Sequence, residues 1–163
     1  MLIAFTTASS SASFTTAIET QEKSFGTSGN IVKLGVPLYE SFCKPLMALE
    51  FSLYSLYLMK LYDVKITLSA FITVIITAAV LAIATPPITG GSASCYSLML
   101  LQCGIPIEAL SVLLAINVFV DRITTTGAEI FNQLGMLDTG LALDKADVDV
   151  LRKADSRNRK SAV

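Results

Sequence analysis

Hydrophobic side chains fill two neighbouring stretches of the chain, 66–84 and 92–103, and no charged residue interrupts the 42 positions between Lys65 and Glu108. From Ile66 to Ala84 the residues are almost wholly Leu, Ile, Val, Ala, Phe and Thr. This is the composition of a helix that crosses a bilayer core, for which roughly 20 apolar residues suffice. Pro86, Pro87, Gly90 and Gly91 then break the run, and Ser92 to Cys103 resumes it as a shorter apolar helix. Backbone freed from a helix in lipid must be satisfied by protein or by a polar cavity. The two stretches therefore predict a hairpin that enters and leaves the membrane from one side around a Gly-rich tip. Gly104-Ile105-Pro106 predicts the turn that follows.

Ala109 to Leu134 predicts a long helix with two faces. Asn117, Asp121, Thr124, Thr125, Ala128 and Asn132 recur at helical spacings and form one stripe, while Leu, Val, Ile and Phe fill the remainder. An ionised aspartate at mid-bilayer is expensive, so the stripe is expected to face a bundle interior or a cavity. The alternative pairs Asp121 with Arg122 at a helix end, although adjacent helical residues point about 100° apart.

The N-terminal part is patterned differently. Leu2 to about Thr20 is dominated by Ser and Thr, which fits either a re-entrant hairpin lined by protein and water or a disordered low-complexity terminus. Gln21 to Asn30 reads as a surface loop. Ile31 to Tyr62 is apolar and aromatic, but Pro37 and Pro45 predict a kinked or unwound region between them. Glu40 and Lys44 are four residues apart and can pair on any residual helix, unless this end of the segment simply lies at the surface.

Composition narrows the class. Hydrophobic residues make up 53% of 163, charged residues 15%, and mean hydropathy is +0.64, so a polytopic membrane protein is expected. Its membrane part should span 1–137, followed by a soluble, charged tail at 138–163 whose basic close at Arg157, Arg159 and Lys160 favours a cytoplasmic C-terminus. A net charge of -1 gives no reason to expect a nucleic-acid partner. Cys43, Cys95 and Cys103 lack metal-type spacing, and the chain has no histidine, so neither a zinc site nor an enzymatic Cys/His site is expected. No cleavable signal peptide is visible at Met1-Leu2-Ile3-Ala4-Phe5, and the chain is expected to begin partway through a larger unit.

The order of these parts resembles the C-terminal transport half of the dicarboxylate/amino acid:cation symporters, the glutamate and aspartate transporters, over roughly residues 3 to 153. Thr7-Ala8-Ser9-Ser10-Ser11-Ala12 is similar to the family's serine-rich first hairpin tip, and Pro37-Leu38 to the step entering its broken helix. Ile88-Thr89-Gly90-Gly91-Ser92 looks like the second hairpin tip, and Gly104-Ile105-Pro106 like the turn before the last helix. The resemblance implies an all-α membrane protein with two re-entrant hairpins, one broken transmembrane helix and a final polar-striped helix, the N-terminal scaffold half being absent. It implies no enzymatic activity. It implies secondary active transport of a small amino acid or dicarboxylate by cation symport, through elevator-type alternating access. The alternative is a non-transporting fragment or an accessory subunit of a full-length symporter.

By the same resemblance, substrate would be bound by Ala8, Ser9, Ser10, Ser11, Ile88, Gly90, Ser92, Asp121, Thr124, Thr125 and Ala128, with Asp121 holding an amino group. A coupling cation, sodium or proton, is the one cofactor in question, and Tyr39, Ser41, Cys43, Ala82, Ile83, Thr85 and Asn132 stand at the corresponding positions. Partners would be the lipid bilayer and a scaffold half or homotrimer mates, and the location the inner (plasma) membrane. The chain departs from the family at the broken helix, where Cys43-Lys44-Pro45-Leu46-Met47 replaces an Asn-Met-Asp-Gly-Thr motif. Thr124 replaces the arginine that grips a side-chain carboxylate, while Ala128 and Asn132 replace an asparagine and a sodium-binding aspartate. These changes favour a small neutral amino acid and weaken sodium binding.

Overall fold

The computed structural model describes residues 2–88, 90–143, 146, 147 and 150. Among them the regular structure is helical: α1 (Leu2–Thr7), α2 (Ser10–Lys23), α3 (Gly29–Phe42), α4 (Pro45–Leu61), α5 (Leu68–Ala84), α6 (Ala93–Gln102) and α7 (Ala109–Ala142). Among the described residues, one isolated bridge, between Thr27 and Ala146, is of β type.

Each interruption has a local cause. Between α1 and α2 the chain turns at Ala8, whose φ of +48 lies in the left-handed region that an alanine enters at a cost. Between α3 and α4 the prolines act as expected. Pro37 sits within α3, whereas Pro45 starts α4, where its missing N–H would have had no helical partner anyway. The unwound pair Cys43 and Lys44 lies between. Thr67 caps α5 by accepting a hydrogen bond from the Ala70 N–H (3.2 Å). After α6 the Ile105 N–H donates to the Leu100 carbonyl (2.9 Å), which closes the expected turn.

α7 is the central strut, touching α1, α2, α3, α4 and α6. Two apolar clusters form on it. The larger joins α4, α5, α6 and α7 through Phe51, Leu58, Val74, Ala78, Ala82, Tyr96, Met99 and Leu113. Phe51 and Tyr96 meet edge to face, 5.2 Å apart at 86°. The smaller joins α2, α3 and α7 through Ala17, Val32, Val36 and Met136. Close approach of α3 to α7 depends on Gly135, because a Cβ there would lie 2.7 Å from Tyr39 Cε1. The outward faces carry large apolar side chains, among them Leu34, Leu68, Ile76, Val80, Phe119 and Ile123, which suits a lipid surround.

Three expectations are corrected. Gln21 to Asn30 is not a surface loop throughout: α2 runs to Lys23, and Gln21 is fully buried because its amide donates to the Gln133 carbonyl (2.7 Å) and to Gln133 Oε1 (2.8 Å). α5 has 17 residues, about 25 Å of helix, and starts at Leu68 rather than at the expected Ile66. Among the described residues, α7 is the helix long and apolar enough to cross a membrane. It also continues beyond Leu134, the end expected for this helix, to Ala142. The basic close of the tail lies outside the described residues.

Candidate functional site

The Ala8–Ser11 turn meets the Thr85–Ser92 segment that joins α5 to α6, and a single carbonyl is the meeting point. Pro87 O accepts from Ser11 Oγ (2.6 Å), Ser11 N–H (3.3 Å) and Ser9 Oγ (3.3 Å). Below this contact lies a cleft floored by the polar stripe of α7. Of the residues expected to bind substrate, Ala8, Ser10, Ile88, Ser92, Asp121, Thr124, Thr125 and Ala128 line it. Ser9 and Ser11 instead close the tips, and Gly90, at φ +74, presents its N–H to the Asp121 carboxylate. The cleft offers about 30 Å³, room for a water or an ion but not for an amino acid. The tips are thus shut over the site.

Asp121 is 9% exposed and faces the cleft. Arg122 points elsewhere and donates to the Val118 carbonyl one turn back, so the stripe faces inward as its spacing predicts. Ser92 is fixed from below by a buried chain of polar groups. Tyr96 Oη contacts the Glu50 carboxylate and lies 2.6 Å from Asn117 Oδ1, while Asn117 Nδ2 donates to Ser92 Oγ (3.2 Å).

The residues expected around a cation are divided. Thr85 and Asn132 line the cleft. Cys43, Ala82 and Ile83 line a separate, mainly apolar groove with Phe42, Pro45 and Phe131. Ser41 is exposed, and the Tyr39 hydroxyl is spent on the Gly135 carbonyl (3.0 Å) and Thr139 Oγ1 (2.9 Å). The Tyr39 carbonyl already accepts from the Cys43 N–H (2.8 Å). Lys44 does not close an ion pair with Glu40 but places its ammonium on the Thr85 carbonyl. At that end of the cleft the Thr85 carbonyl is occupied by the ammonium, and in the separate groove Cys43 and Pro45 offer no hard side-chain oxygen for an alkali cation.

Pattern reading missed Glu40, Glu50, Tyr96 and Glu129 as parts of the polar interior. Glu129 had a signal, because it continues the series Asn117, Asp121, Thr125 at intervals of four. Glu50 and Tyr96 had none, because no helical spacing on their own segments marks a polar face that includes them.

The sequence profile described as the sodium:dicarboxylate symporter family matches residues 1–133. No curated protein matches the chain significantly.

Proposed function

The chain belongs to the sodium:dicarboxylate symporter family, and from that membership we propose secondary active transport of a small neutral amino acid across the inner (plasma) membrane, with its C-terminus in the cytoplasm. The family is one of membrane transporters, so the protein is an integral membrane protein. The observation that carries the substrate reading is the inward Asp121 beneath two closed tips, with Thr124 beside it. A buried carboxylate suits a substrate ammonium, and the amides of the Gly90–Ser92 turn suit a substrate carboxylate. A second carboxylate on the substrate would find threonine hydroxyls in place of a guanidinium, so a dicarboxylate is the less favoured substrate.

Because the cleft is too small for such a substrate in this geometry, entry requires the Pro87 contacts to open. The two hairpin-like units would then be re-entrant gates and the bundle the moving part of an elevator. The outward apolar faces supply the surface on which a scaffold half or homotrimer mates would sit.

Uptake of radiolabelled alanine, serine and aspartate into proteoliposomes tests this reading. Alanine or serine uptake lost in Asp121→Asn is the expected result. Equal uptake by the variant, or no uptake of any of the three, would count against it and favour a non-transporting subunit.

A further inference from the structure

The segment that closes over the cleft is held at two places. At Pro87 the holding groups are neutral, two hydroxyls and one amide of the Ser9–Ser11 turn. At Thr85, where the segment leaves α5, the holding group is a charge, because the Lys44 ammonium donates to the Thr85 carbonyl. Thr85 is 2% exposed. Its N–H and its hydroxyl both turn back along α5 to the Leu81 carbonyl (2.9 and 2.7 Å), which leaves the Thr85 carbonyl as the group that faces Lys44. A carbonyl at a helix C-terminus has no intrahelical donor and carries partial negative charge, so a cation is the partner that suits it.

That cation cannot diffuse away. Lys44 stands in the unwound step between α3 and α4 and lines both the cleft and the apolar groove beside it. Glu40, one turn earlier, lies close enough for its charge to act on the ammonium. A free alkali ion in the same place would meet few ligands, because the Thr85 hydroxyl is turned to Leu81 and the Tyr39 carbonyl accepts from the Cys43 N–H. Hard cations take several oxygens at once, whereas an ammonium is satisfied by one good acceptor and its neighbours' field.

We propose that Lys44 is a tethered cation that holds the Thr85–Ser92 segment shut over the cleft, so that closure does not depend on sodium in solution. Lys44 is a positioning residue in this scheme, acting on the lid through Thr85. As a statement about transport it rests on the reading above, and it means that no ion travels with the substrate at this end of the cleft. As a statement about closure it stands without that reading.

The test is amide exchange at Thr85 and Gly90 to Ala93 in the detergent-purified full chain, at fixed pH and ionic strength, with choline exchanged for sodium. Wild-type exchange at these amides should be the same in both salts. Lys44→Ala should accelerate it about tenfold, and n-propylammonium, the part of the side chain that the variant lacks, should slow it again. Propanol, which has the same length but no charge, should not. If Lys44→Ala does not fold, Lys44→Met and Lys44→Arg take its place, with acceleration expected in the first and near wild-type exchange in the second. Wild-type exchange that sodium slows, unchanged exchange in Lys44→Ala or Lys44→Met, or equal rescue by propanol would overturn the proposal. Exchange that follows Lys44 as described in a protein that takes up no amino acid would sink the transport reading and leave the tethered cation intact.

Discussion

The Lys44 ammonium donates to the Thr85 carbonyl, joining the break between α3 and α4 to the C-terminal end of α5. The last carbonyls of a helix lack intrahelical donors and carry partial negative charge, so a lysine is a suitable cap there. Lys44→Met should lower stability by about 1–2 kcal/mol, a value discounted for the half-exposed setting of the lysine. Lys44→Arg should recover most of it. Thermal melts of the three proteins in one detergent check this, and equal Tm values for Met and wild type would show that the contact contributes nothing.

Tyr96 does two jobs that substitution can separate. Its ring packs edge to face on Phe51, and its hydroxyl lies between Glu50 and Asn117. Tyr96→Phe keeps the ring but strands a buried carboxylate, at a cost of about 1–3 kcal/mol. Adding Glu50→Gln should restore part of that loss, so the double variant should be more stable than the sum of the single effects predicts. Strict additivity in denaturation measurements would mean that the two groups do not interact.

Gly135 and Gly35 should respond differently to alanine. At Gly135 the new Cβ would meet the Tyr39 ring at 2.7 Å, and that ring is held by hydrogen bonds to α7. At Gly35 the neighbour is the flexible end of Met136, whose sulfur would crowd the added atom. Gly135→Ala should cost about 1–3 kcal/mol. Gly35→Ala should cost less, because the thioether can swing aside. Reversal of that order in Tm would refute the account.

The contact between tips depends most on Ser11, which gives Pro87 O two of its three donors. Ser11→Ala removes the shorter one and should weaken closure by about 1 kcal/mol. Amide exchange at the tip should then accelerate several-fold, with little change in the centre of α7. Unchanged exchange at the tip would show that closure is held elsewhere.

Much of the architecture was legible because its signals are local. Prolines and glycines marked the break at Cys43–Lys44 and the turn at Gly104, and the four-residue recurrence from Asn117 to Asp121 and Thr125 marked the buried face of α7. Gln21 was misread because its partner, Gln133, lies 112 residues away, and a polar residue looks exposed until its partner is known. The same holds for Glu40. A lone glutamate four residues before a lysine invites an i,i+4 pair, yet the tertiary structure sends the lysine to α5 and sets the glutamate against α7. The length of α5 was overestimated because hydropathy alone does not reveal that Thr67 caps it.

The position of α7 in the chain has a consequence for biosynthesis. It is the last of the described long helices to be made, yet α1, α3 and α4 all need it as a neighbour. Until it has been synthesised, Ser13 and Gln21 lack Glu129 and Gln133, the α7 groups that their polar atoms meet in the folded chain. A ribosome that stalls before Ala109 would leave α4 able to pack on α5 and α2 on α3, but with no helix to join the two pairs into one bundle.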